Sequence, residues 1–227
     1  MEVYDIQKIQ LASSWDRSAL ESLLQSQGLR LDHDVETAFG VYETSGEEPK
    51  LVGCGCAAGA LLKCFALLPQ LRGQNLLGRL VSALTQDRFA AGYYDLMVIT
   101  RAHNETLFVN SGFWTVAKTE QLVLLENQPD GPARFTAPMV MPGDEDRSVG
   151  AIVMNCNPFT LGHRHLVERA ARENDVIHLF VLSEEAGPIP SAVRRELVEQ
   201  GVRDLPNVFC HATGPYPSAP PPSPATF

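Results

Sequence analysis

From Val149 onward the chain alternates strand-like and helix-like segments with joins that admit few architectures: "VGAIVMN", "GHRHLVERAAREN", "VIHLFVL", "SAVRRELVEQG" and "NVFCH". The short apolar runs read as buried strands, and the segments between them carry helical spacing. A β-α-β-α-β order with short joins predicts a parallel sheet with crossover helices, because parallel neighbours need a long return connection. The exit from the first strand is unusual. There "NCNPFTLGHRH", residues 155–165, interposes amides, a proline, a glycine and two histidines before the helix.

Upstream, residues 128–148 hold four prolines and two glycines with little periodicity, the composition of a connection between domains. The part before it reads differently. Val3–Ile9 is a strand, and Arg17–Gln27 is an amphipathic helix with Leu20, Leu23 and Leu24 on one face. "TAFGVYET" and "LVGCGCAAGALLKC" form a hairpin around the polar loop "SGEEPK", followed by a short strand "CFALLP". A helix from about Asn75 to Ala91, a strand "DLMVITR", a short helix at Asn104–Asn110 and strands within "GFWTVAKTEQLVLLE" complete an α+β layout. The expected domains are 1–127 (α+β), a linker at 128–148, and 149–212 (α/β). A tail at 213–227 holds six prolines and no charge from Pro215 on, so it is expected to be extended and disordered.

The net charge of -9 argues against nucleic acid as a partner, since no long-range basic field gathers a polyanion. No apolar run reaches the roughly 18 residues that span a bilayer, and the start "MEVYDIQKIQ" lacks the pattern of a signal peptide, so a cytoplasmic protein without membrane contact is expected. The five cysteines, Cys54, Cys56, Cys64, Cys156 and Cys210, match neither a paired disulfide framework nor the spacing of a structural zinc site. They read as buried reduced thiols, and no metal ligands are assigned.

In the loop after the first strand, Gly162 is expected to permit a tight backbone. The following helix N-terminus supplies N–H donors, while Thr160 and His163 bring a hydroxyl and an imidazole to the same space. Such a turn suits phosphate. An imidazole donor placed on the non-bridging oxygens of an α-phosphate would stabilise the transition state more than the ground state, which makes His163 the first catalytic candidate and Thr160 the second. No lysine follows Lys118, so phosphate charge here would need arginine, histidine, backbone amides and metal to offset it. Arg194 and Arg195 are the candidates. His165 lies about 200° around the helix from His163 and reads as a surface residue. His178, within an apolar strand, reads as structural.

"Gln70-x-x-Gly73-x-Asn75" and "NETLFVNSGF" resemble the pyrophosphate-binding turn and a later segment of the GNAT acetyltransferases, which implies a GNAT-like fold and an acyl-CoA-type turn at Arg72, Gly73 and Asn75. Asn75 stands where that family has glycine or alanine. "NPFTLGH" resembles the T/H-x-G-H motif of the nucleotidyltransferase superfamily, implying a Rossmann-like α/β domain. The two together, with "MNCNPFTLGHRHLVERAA", "IHLFVL" and "RRELVEQG", resemble the citrate lyase ligase family. That resemblance implies ATP and Mg²⁺ as cofactors. Acetate would attack the α-phosphate, and acetyl-AMP would then acetylate the thiol prosthetic group of the citrate lyase acyl carrier subunit. Thr160 and His163 would contact the triphosphate, and Asn155, Asn157 and Phe159, with Gly162, would line the nucleotide pocket. The family's second ATP signature has at best a remnant in "SPATF", so a partial nucleotidyltransferase-like domain is expected. The competing functions are a nucleotidyltransferase acting on a cofactor precursor, an acyl-CoA-dependent N-acetyltransferase and an inactive binding remnant.

Overall fold

A computed structural model describes residues 3–140, 144–183, 188–214 and 216. They divide into two units, one ending at Pro132 and the other beginning at Ala133. The first unit runs β1 (Tyr4–Lys8), α1 (Ser14–Ser26), β2 (Thr37–Glu43), β3 (Lys50–Ala58), β4 (Leu61–Leu67), α2 (Leu76–Ala90), β5 (Met97–Arg101), α3 (Glu105–Val109), β6 (Trp114–Lys118) and β7 (Leu122–Glu126). Its seven strands form one sheet in the order β1-β2-β3-β4-β5-β7-β6. All neighbours are antiparallel except β4 and β5. The α+β class expected for this part is the class found.

Helix α1 starts before the expected Arg17 because the Ser13 hydroxyl accepts from the Asp16 amide at 3.3 Å and caps the first turn. Its Leu20, Leu23 and Leu24 pack on a sheet face that carries Ala38, Cys54, Cys56 and Cys64. Helix α2 packs with Val81 and Leu84 against Ala57, Leu62 and Val98, in a separate cluster. The thiols are free, and four of the five are buried. The run "LVGCGCAAGALLKC", expected as one strand, turns back at Gly59 and Ala60 into β3 and β4, paired at Ala58 and Leu61. Gly59, one of three glycines in this run, gives a weak turn signal, whereas its positive φ of 53° is what the chain uses there.

Strands β4 and β5 pair only at Leu61–Met97 and Leu62–Val98. Beyond those residues they part. Cys64, two positions later, has a left-handed φ of 53°, and the β3–β4 register shifts beside it. Lys63 is buried there and bridges Asp32 at 3.0 Å and Asp34 at 2.5 Å, tying β4 to the loop after α1.

The second unit includes Phe135 near the end of α4 (Gly131–Thr136), a helix within the stretch read from composition as a connection. It continues as β8 (Val149–Met154), α5 (Leu161–Glu173), β9 (Val176–Val181), α6 (Ser191–Val202) and β10 (Val208–Ala212). The three strands are parallel, in the order β10-β9-β8, as the alternation requires. Val167 of α5 and Val198 and Val202 of α6 share one core with Met154, Leu179 and Val181, so both helices cover the same face. The alternate residues face the other way. There His178 and His211 are hydrogen-bonded at 2.9 Å, and Phe180 meets His211 and Phe135. Apart from residues 213, 214 and 216, the proline-rich tail lies outside the described residues, and with it all of "SPATF".

Candidate functional site

The loop leaving β8 is built around reciprocal capping. Thr160 is the N-cap of α5, and its Oγ1 accepts from the His163 amide at 3.5 Å. In return His163 Nδ1 accepts from the Thr160 amide at 3.1 Å. A backbone N–H can only donate, so Nδ1 is the acceptor and the neutral ring carries its proton on Nε2. His163 is thereby a donor directed away from its own cap. Its ring stacks on Phe159, with centroids 5.9 Å apart and planes at 20°. Phe159 in turn packs against Gly201, where any Cβ would collide with the ring.

The first turn of α5 contains no acidic residue, and as at any helix start its leading amides lack intrahelical partners. Gly162 sits within this turn. Contrary to the expectation of a tight backbone, its φ is not positive, and an added Cβ would meet nothing closer than Thr160 Oγ1 at 3.7 Å. Nothing among the described residues requires glycine there, while glycine in a helix costs about 1 kcal/mol relative to alanine. The open surface over the amides is what this residue provides.

The two candidate arginines separate. Arg195 is exposed and pairs with Glu199 at 3.4 Å along α6. Arg194 is only 1% exposed. Its Nη1 donates to the Asn155 carbonyl at 2.7 Å and to Asn155 Oδ1 at 2.5 Å, and its Nε to the Ile189 carbonyl at 3.1 Å. Asn155 is itself exposed. Asn157 is half-buried, and its Oδ1 is a buried acceptor without a hydrogen-bond partner among the described residues. Cys156 between them has a φ of 52°, and burial pushes its thiol up to about 11 although Arg194 works against this. His165 is exposed, and His178 belongs to the histidine pair on the far sheet face.

Sequence reasoning missed the clamp on the other side of the turn. Arg164 donates to both Asp204 carboxylate oxygens, at 2.9 and 2.7 Å, to the Gly201 carbonyl, and to Glu168 at 2.9 Å. Only the i,i+4 spacing to Glu168 was visible in sequence. Phe159, Thr160, Leu161, Arg164, Gly201 and Asp204 line a cavity of about 670 Å³.

In the first unit, Arg72, Gly73 and Asn75 come together at the start of α2 and line a cavity of about 640 Å³. The gap between β4 and β5 opens it, with Phe65 and Leu67 on one side and Thr100 and Arg101 on the other. Gly73 and Asn75 both have left-handed φ, 84° and 56°, and α2 has no side-chain cap. The Asn75 side chain lies over Gly78, where a Cβ would come within 2.5 Å of its Oδ1. Among the described residues, no group of three or more His, Cys, Asp or Glu stands ready to hold a metal, and no helix is long and apolar enough to cross a membrane.

A parallel α/β unit with a capped Thr-x-Gly-His turn is the context in which the comparisons fall. Residues 149–227 match the family model described as the citrate lyase ligase C-terminal domain. Over 201 residues the chain is 38% identical to the [citrate [pro-3S]-lyase] ligase of Klebsiella pneumoniae, an alignment covering 88% of this chain and 58% of that protein. It is 32% identical over 200 residues to the enzyme of the same name from Haemophilus influenzae, covering 88% and 59% respectively. The chain is thus a relative of citrate lyase ligases and spans somewhat over half the length of these curated relatives. An acyl-CoA N-acyltransferase from Pseudomonas aeruginosa overlaps 55% of this chain and 99% of its own, with 14% identity and a TM-score of 0.44.

Proposed function

We propose that the chain is an ATP-dependent acid–thiol ligase of the citrate lyase ligase type, acting in the cytoplasm on the acyl carrier subunit of citrate lyase. An acetate oxygen bonds to the α-phosphorus of ATP as the bond to pyrophosphate breaks. The thiolate of the carrier's prosthetic group then takes the acetyl group, and AMP leaves. The observation that carries the proposal is the start of α5, where a helix N-terminus without acidic residues is capped by Thr160 and His163 and left bare at Gly162. That surface fits a polyanion.

In this scheme His163 Nε2–H donates to the phosphate oxygens as charge builds on them, held in that tautomer by the Thr160 amide. Asn157 Oδ1, a buried acceptor with no partner among the described residues, would accept from a nucleoside N–H or O–H. Mg²⁺ would arrive on the triphosphate and offset its charge. Acetate-dependent pyrophosphate release should therefore require ATP and Mg²⁺ and fall at least a hundredfold in His163→Ala. Equal release by wild type and variant would remove His163 from the mechanism, and none from wild type would remove the ligase proposal for this chain.

The cavity beside Arg72, Gly73 and Asn75 favours a second role for the first unit, docking of a CoA-like prosthetic group during transfer. Thermal shifts separate the sites. ATP should be insensitive to Arg72→Ala, and a phosphopantetheine-containing ligand should be insensitive to His163→Ala.

A further inference from the structure

Adjacent arginines at the start of α6 do opposite things. Arg195 lies on the exposed face with Glu199, whereas Arg194, a hundred degrees around the helix, is buried against the end of β8. A guanidinium has donors only, so the atom of the Asn155 side chain that faces Nη1 at 2.5 Å must be Oδ1. The amide Nδ2 then points away from Arg194. Asn155 is exposed, and no described residue accepts from its Nδ2.

We infer that Arg194 is a positioning residue: by holding the Asn155 carbonyl and Oδ1, it turns the Asn155 amide nitrogen outward as a donor for a phosphate oxygen. The inference rests on the proposal that this loop receives a triphosphate. Arg194 touches no ligand. It decides instead which end of an otherwise symmetric-looking amide faces the ligand. A flipped Asn155 would present a carbonyl oxygen, which repels an oxyanion. A buried cation is thereby used to orient an exposed neutral donor at the head of the loop that ends in Thr160 and His163.

Removing Arg194 risks the fold, so the decisive variant is Asn155→Asp. A carboxylate keeps both contacts with Arg194 and adds an ion pair, so the melting temperature should hold or rise. The outward atom changes from an N–H donor to an anionic acceptor. Titrations with ATP and with inorganic tripolyphosphate should then show affinity reduced about tenfold or more. Asn155→Ala, which adds no charge, should weaken both ligands several-fold. Full affinity in a stable Asn155→Asp protein overturns the inference and leaves the ligase proposal standing, as does a melting temperature that drops in that variant. A wild type that binds neither ATP nor tripolyphosphate defeats the ligase proposal, and this inference falls with it.

Discussion

At the residue scale, the clearest case is Gly162. Gly162 stands in a helical turn against its propensity with room for a methyl group, and under the ligase proposal that room serves a ligand approaching the turn. Gly162→Ala should leave stability unchanged or raise it by about 0.5–1 kcal/mol, while ATP affinity falls; paired melting curves and titrations measure both. An affinity that survives the methyl group would mean that nothing approaches these amides closely. The motif itself was legible because threonine, glycine and histidine stand at fixed offsets before a helix. The role of Arg194 was not. Sequence places Arg194 and Arg195 side by side with equal claims on phosphate, and only the packing of α6 decides that one faces inward. The thiols make a second residue-scale prediction. Burial pushes Cys54 far above its ordinary range and holds Cys156 and Cys210 at about 11, so these three should react slowly with a thiol reagent at neutral pH and rapidly after denaturation. Fast native labelling of any of them, located by mass spectrometry, would contradict that.

At the element scale, the strands of both units and the helices other than α4 followed from apolar period and turn residues. The β3–β4 turn did not, since Gly59 is one of three glycines in a run of small residues and carries little local information of its own. Nor did the ion pairs of the buried Lys63, which join residues about thirty positions apart. Burial alone would raise the Asp34 carboxyl, but the hydrogen bond and charge of Lys63 outweigh it and hold the group below its ordinary 3.8. A depressed carboxyl contributes stability that is fully present above the unfolded value and is lost as pH falls through the folded one. Lys63→Met should therefore lower the melting temperature near neutrality, and its difference from wild type should shrink below about pH 3.8. A difference independent of pH would assign the effect to packing of the lysine stem.

At the scale of the whole molecule, the two units answer to different pH ranges. His211 is held below its ordinary value of 6.5 by burial, and then by the neighbouring His178. Below that pH the unfolded chain takes up a proton that native His211 resists, so the second unit loses stability as pH falls from about 6.5 toward the depressed value. His211→Gln should flatten this dependence, read as the melting temperature of the second unit between pH 7.5 and 5; an unchanged slope would exclude the pair as its source. The order of units was readable from the switch between layouts, α+β before the proline-rich stretch and β-α-β-α-β after it. The gap between β4 and β5 was not readable, because it depends on where two distant strands cease to pair. That gap has a consequence for solvent access. Past Leu62, β4 has a hydrogen-bonded neighbour on its β3 side and none in β5. Hydrogen–deuterium exchange should thus divide a single strand lengthwise, with amides directed at β3 exchanging slowly and those directed at the gap exchanging early. Any molecule that settles into the gap would announce itself by slowing only the second set.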